Sequence, residues 1–157
     1  MQKIVPCLWF DGRAEEAMRF YQSIFSSAKT FNVMRYTDAG PGPEGSVLSV
    51  MFELEGQEFI ALNGGPMFKF TPAISLFVKC STQDEVDMYW TRLLEGGMAQ
   101  QCGWLNDKFG VSWQIVPVAL SGMLQDKDAG KASRVMQAML KMVKLDIRLL
   151  QAAYDGI

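Results

Sequence analysis

The side chains best suited to chemistry in this 157-residue chain are carboxylates, three thiols and a few neutral amides, because it holds no histidine. Histidine is the commonest metal ligand and the usual general base near neutral pH. Its absence excludes the Ser-His-Asp and Cys-His nucleophile arrangements and every His-based metal site. Any chemistry must run on carboxylates, Cys, Lys, Tyr or backbone. Cys7, Cys80 and Cys102 are odd in number and lack C-x-x-C spacing, which reads as buried thiols in a reducing compartment. Cys102 has no neighbouring cation in sequence to lower its pKa, so a reactive thiolate is unsupported. Asp107 and Lys108 read as turn residues with solvated charges. Gln114 and Asn63 are amides at strand ends. They either hydrogen-bond a ligand, or satisfy each other or the backbone.

Two glycine-rich stretches, Gly40 to Gly45 and Asn63 to Pro66, match neither G-x-G-x-x-G nor a P-loop, and no strong helix start follows either. Phosphate cradling is therefore poorly supported. Trp9, Trp90 and Trp113 read as core, as large aromatics usually do. Trp104 is the exception and a ligand-platform candidate. Phe68, Phe70 and Phe77 either line a pocket mouth or fill the core.

The elements that must position these residues follow from periodicity. Ile4–Phe10 reads as a strand ended by Asp11-Gly12, with Asp11 able to cap the next helix. Ala14, Ala17, Met18, Tyr21, Ile24 and Phe25 recur at helical spacing. Lys29–Tyr36, Val47–Leu54 and Glu58–Leu62 follow as strands, the last two joined by a Glu55-Gly56 hairpin turn. Ala73–Lys79 begins a second series. Ser81-Thr82-Gln83-Asp84 reads as a capping box before a helix carrying Val86, Tyr89, Trp90, Leu93 and Leu94 on one face. Short strands near Met98–Gln101, Cys102–Leu105 and Val111–Val116 come next, the last pair joined by the turn Asn106–Gly110. Three helices follow: Ala119–Leu124, Lys131–Val143 with a stripe of Val135, Met136, Met139, Leu140 and Met142, and Asp146–Tyr154.

The two series match at an offset of about 69 residues: Glu15-Glu16-Ala17 with Asp84-Glu85-Val86, and Phe20-Tyr21 with Tyr89-Trp90. This predicts an α+β fold of paired βαβββ modules forming one curved mixed sheet, with C-terminal helices. The chain reads as a single domain, with modules at residues 1–66 and 71–117 and a tail at 118–157. Such a sheet would enclose a small-molecule pocket. A net charge of −2 argues against a nucleic-acid surface. No apolar run is long enough to span a bilayer, and the N-terminal stretch lacks a signal-peptide core. The expectation is a cytoplasmic protein with no nucleic-acid or membrane partner.

This arrangement resembles the vicinal oxygen chelate superfamily (glyoxalase, bleomycin-resistance protein, dioxygenase), and within it the PhnB-like, or demethylubiquinone methyltransferase-like, family. The residues that carry the resemblance are Leu8-Trp9-Phe10-Asp11-Gly12 with Ala14-Glu15-Glu16-Ala17, Gly40-Pro41-Gly42-Pro43, Ala61-Leu62-Asn63-Gly64-Gly65-Pro66, and Gln101 to Leu105 with Asp107 to Gln114. Arg134 to Leu140 in the tail also looks similar. The resemblance implies a homodimer. In metal-using relatives, four ligands come from the first and last strands of each module. Strand order places those positions here at Pro6, Ala61 or Asn63, Ala73 or Ser75, and Gln114. None offers an ionisable ligand, so no metal and no cofactor are expected. Cys7 is expected to face away from Pro6.

The reading is a PhnB-like protein of unassigned activity that binds a small molecule in a metal-free pocket, with Pro6, Leu8, Asn63, Phe77, Trp104 and Gln114 as ligand-binding residues. One alternative is a superfamily lyase, isomerase or dioxygenase with an atypical metal site. That would need Glu53 or Glu58 turned into the cup, which the strand pattern disfavours. Another is a dimeric interaction module docking through its tail.

Overall fold

The structure, a computed structural model, describes residues 2–157; Met1, the first residue of the stretch screened above for a targeting signal, lies outside them. The chain divides into two compact units between Phe70 and Thr71.

The first unit opens with β1 (Cys7–Phe10), then α1 (Ala14–Gln22), β2 (Ala28–Arg35), β3 (Val47–Leu54) and β4 (Gln57–Asn63). The sheet order is β1-β4-β3-β2. β1 runs parallel to β4, and the other pairs are antiparallel. The period-2 pattern of β3 explains its seat: Val50, Phe52 and Leu54 are buried, while Met51 and Glu53 are not. Leu8, Phe10, Phe59 and Ala61 share the buried face, against Ala17, Met18 and Tyr21 of α1. Asp11 does not cap α1. The N-cap position falls on Arg13, and the side-chain acceptor for Ala14 N is Asn63 Oδ1, at 2.8 Å, from the end of β4.

The second unit repeats the plan with β5 (Ser75–Cys80), α2 (Gln83–Leu93), β6 (Met98–Ala99), β7 (Trp104–Asn106) and β8 (Ser112–Pro117), in the order β5-β8-β7-β6. β5 is parallel to β8 as β1 is to β4. The repeat read from the sequence is thus real in topology. Its offset is not uniform. Buried helix positions step by 69, as Ala17 to Val86, but buried strand ends step by 70, as Phe10 to Cys80. Three residues join β1 to α1 and two join β5 to α2.

The capping box of α2 sits one residue later than expected. Thr82 Oγ1 accepts from Glu85 N, and the Glu85 carboxylate accepts from Ser81 N. The closing hairpin is also shorter. Cys102 and Gly103 have φ of 59° and 81°, outside the extended region, so β7 starts only at Trp104. Their N–H groups donate to Met142 O and Val143 O of the tail. A Cβ on Gly103 would stand 2.9 Å from Ile115 O, so glycine is required there.

The tail comprises α3 (Val118–Leu124), α4 (Ala129–Met139) and α5 (Ile147–Asp155). Leu120, Met123, Val135, Leu145 and Leu150 form its buried cluster, with Val116 of β8, Met139 and Met142 packed against it. Met136 and Leu140, read above as part of the same stripe, are exposed instead. α4 ends at Met139, so Leu140 and Met142 fall outside its helical register. Among the described residues no helix is long and apolar enough to cross a membrane.

Candidate functional site

In the second unit α2 covers one face of the sheet: Cys80, Leu105, Trp113 and Ile115 are buried there, with Val86, Trp90 and Leu93 of the helix. The opposite face carries the alternate residues. Register places Phe77 of β5 beside Gln114 of β8, and Gln114 beside Trp104 of β7. Three of the expected ligand-binding residues therefore form one row, with an amide between two aromatic rings. Phe77 is 53% exposed, although apolar side chains of this size are usually buried.

The next row is hydroxyl and amide. Ser75 pairs with Ser112 and Ser112 with Asn106. Gln114 Nε2 donates to Ser75 Oγ at 2.9 Å. Asn106 Nδ2 donates to Ser112 Oγ at 2.9 Å, and Asn106 Oδ1 accepts from Gln100 Nε2. These bonds orient neutral groups without supplying a charge. Gln114 keeps its carbonyl oxygen for an outside donor. At the C-terminal end of β8 the same face closes, because Val116 is packed under the tail cluster.

The first unit treats its expected residues differently. Leu8 is buried on the α1 side of the sheet, in register with the fully buried Ala61. A step of 69 takes Leu8 to Phe77, yet the two face opposite sides of their sheets. Asn63 is likewise on the helix side. Its Oδ1 holds Ala14 N and its Nδ2 donates to Val47 O at 3.0 Å. The backbone alternative for Asn63 is the one the structure displays. Alternation puts Pro6 on Leu8's side, with its carbonyl accepting from Ile60 N. The helix-free side of this sheet holds Cys7, Trp9, Ile60 and Leu62. Glu53 and Glu58, directly opposite one another on β3 and β4, lie there too, contrary to the expectation from the strand pattern. Alternation from the buried Val50, Phe52 and Leu54 fixes that side. Lys29 stands 3.8 Å from Glu53 and offsets part of the like-charge repulsion.

Asp107 also departs from expectation. It is 3% exposed, and its carboxylate accepts from Phe109 N, Val111 N and Trp113 Nε1. It is the buried anchor of the hairpin turn, not a solvated charge. The thiols differ as well. Only Cys80 is buried, and desolvation there pushes its pKa up to about 11. Cys7 is exposed and Cys102 partly so. Partial desolvation still raises Cys7 above the ordinary thiol value. Trp90 and Trp113 are core, as expected. Trp9 is half-buried, donates to Gly65 O and meets Phe68 edge-on.

Comparison with known proteins places this geometry. The family model for 3-demethylubiquinone-9 3-methyltransferase matches residues 2–116. A solved PhnB protein from Bacillus cereus is 42% identical, with a TM-score of 0.69 over 74% of this chain and 100% of that one. The chain belongs to this family. More distant structures share the fold. A protein from Pseudomonas aeruginosa is 20% identical, with TM-score 0.62 over 74% of this chain and 98% of that one. A fosfomycin resistance protein from Listeria monocytogenes, solved with Mn(II) and sulfate, is 16% identical, with TM-score 0.51 over 72% and 90%. No curated protein matches the chain. The PhnB-family match ends at Val116, so the tail residues quoted for the resemblance lie beyond it.

The metal implied by the resemblance to the vicinal oxygen chelate superfamily can be tested against the side chains present. The positions taken from strand order hold Pro6, Ala61 or Asn63, Ala73 or Ser75, and Gln114. Counting helix-free positions instead brings in Cys7 and Leu62. Cys7 is the one ionisable group in either set, and its thiol is raised rather than lowered. Neutral amide, hydroxyl and hydrocarbon do not repay dehydration of a first-row divalent ion. Neither set fits such a metal. Among the described residues, no three His, Cys, Asp or Glu side chains gather into a metal-holding group.

Proposed function

We propose that this PhnB-like chain binds a small, flat, uncharged molecule on the helix-free face of its second sheet, without a metal. The observation that carries the reading is the row Phe77–Gln114–Trp104, an amide fixed by Ser75 and flanked by two accessible rings. Rings offer stacking area, and the amide carbonyl offers one directional acceptor. Ser75 and Asn106, at the two ends of the next row, would extend the polar contacts, while Ser112 between them is buried. The family's methyltransferase description is not carried over. Nucleotide-like methyl donors sit on doubly wound parallel sheets with a Gly-rich turn, whereas each unit here has one parallel pair in a four-stranded sheet.

A thermal-shift screen of planar heteroaromatic amides and lactams, run with and without EDTA, tests this. Stabilisation that survives chelation and is lost in Gln114→Leu supports the reading. Stabilisation that vanishes with EDTA, or persists in Gln114→Leu, overturns it. A homodimer is part of the same proposal. Edge strand β2 leaves Phe31, Val33 and Met34 exposed, which favours burial against a second copy. Sedimentation equilibrium at a single 17.6 kDa mass would refute that part.

The superfamily-enzyme reading draws on Glu53 and Glu58, two facing carboxylates on the helix-free side of the first sheet. Mn(II) titration monitored by water-proton relaxation separates it from the first. Saturable binding lost in Glu58→Gln would favour chemistry there.

A further inference from the structure

The two glycine-rich stretches left without a role meet in the first unit. Together with the start of α1 they line an open cavity of about 460 Å³, bounded by Gly12, Glu15, Tyr36, Pro41 to Pro43, Ser46, Val47 and Asn63 to Gly65. Its walls depend on glycine. A Cβ on Gly42 would lie 2.5 Å from the Tyr36 ring, and one on Gly64 would lie 2.3 Å from the Trp9 ring. Tyr36 Oη donates to Asn63 O at 2.7 Å, tying the two loops together. The volume falls within the range of small-ligand pockets.

The lining decides the sign of the ligand. A helix N-terminus at a glycine-rich turn ordinarily favours an anion. Here that donor potential is partly answered by Asn63 Oδ1, which takes Ala14 N, and it is opposed by the charges of Glu15 and Glu16 in the first turn. Glu15 is the one charged side chain in the lining, and no Lys or Arg lines it. The side-chain groups left on the lining with spare capacity are acceptors. Glu15 Oε1 accepts from Arg19, which leaves Oε2 as an acceptor. Tyr36 Oη and Ser46 Oγ, each already donating to a backbone carbonyl, can still accept. Pro41, Pro43 and Val47 supply apolar wall.

We propose that this cavity binds a small primary amine. The ammonium would meet Glu15, Tyr36 Oη and Ser46 Oγ, and a short alkyl body would rest on the prolines. The site is separate from the sheet face proposed above. The test is amide NMR of the full chain titrated with n-butylammonium, butanoate and inorganic phosphate at constant ionic strength. The expected result is saturable shifts for n-butylammonium alone, confined to Gly12, Tyr36, Gly42, Gly64 and Gly65. Glu15→Gln should weaken binding at least tenfold. Arg19→Ala, which removes the competing guanidinium, should tighten it. Saturable shifts with phosphate or butanoate at those amides would overturn the proposal. So would n-butylammonium shifts spread over acidic surface, or an unchanged affinity in either variant.

Discussion

Asp107 concentrates more structure than any other carboxylate described here. Two turn amides and the indole of Trp113 donate to it in a buried setting. Asp107→Ala leaves those donors without their acceptor, and the expected cost is on the order of 3 kcal/mol. Urea unfolding read by near-UV circular dichroism should show it, with Asp107→Asn costing less. The sequence hides this role because Asn-Asp-Lys before Gly looks like any solvated turn. Burial depends on Trp113 reaching back across the hairpin. Cys80 makes a second residue-scale prediction. Its folded pKa of about 11 stands above the ordinary 9.0, so the fold holds the thiol protonated. That contribution is complete below pH 9 and is lost as pH rises toward 11. Cys80→Ala should flatten the fall in stability across that window. The reagent DTNB at pH 8 should label Cys7 readily and Cys80 only after unfolding.

Between elements, side chains do the joining. Asn63 ends β4, starts α1 and holds Val47 of β3 through one amide. Asn63→Ala should cost about 2 kcal/mol, since a cap and a second hydrogen bond go together. Thr82→Ala, which removes only the cap of α2, should cost about 1 kcal/mol. Chemical denaturation of both variants gives the comparison. The helices, the strand succession and the repeat were legible because apolar spacing is a local property. Which residue caps α1 was not, since its acceptor lies 49 positions away. Faces were legible in the second sheet, where Phe77, Trp104 and Gln114 come together. They were misread in the first, where Pro6, Leu8 and Asn63 fall on the helix side. The sequence repeat supplied one offset, and the strands and helices use two.

Across the molecule, the tail departs from what the family match covers. Its buried cluster reaches back to Val116, and its backbone accepts from Cys102 and Gly103, the residues just before β7. Gln83 of α2 holds Leu145 O and Ile147 N as well. The tail is therefore built into the second unit rather than hung on it. Leu145→Ala, at a fully buried position, should cost about 3 kcal/mol. Hydrogen exchange should then speed up in β7 and β8 along with the tail, while β3 and β4 keep their protection. The unequal joints between first strand and helix have a consequence of their own. The extra residue lies in the joint, and α1 still buries Ala17 where α2 buries Val86, so the joint absorbs it. A chimera with Asp11–Arg13 in place of Ser81–Thr82 should therefore keep Val86, Trp90 and Leu93 on the sheet and lose only the Thr82 cap, about 1 kcal/mol. An added residue inside α2 is a different matter, because a helix turns about 100° per residue and its apolar face would swing off the sheet.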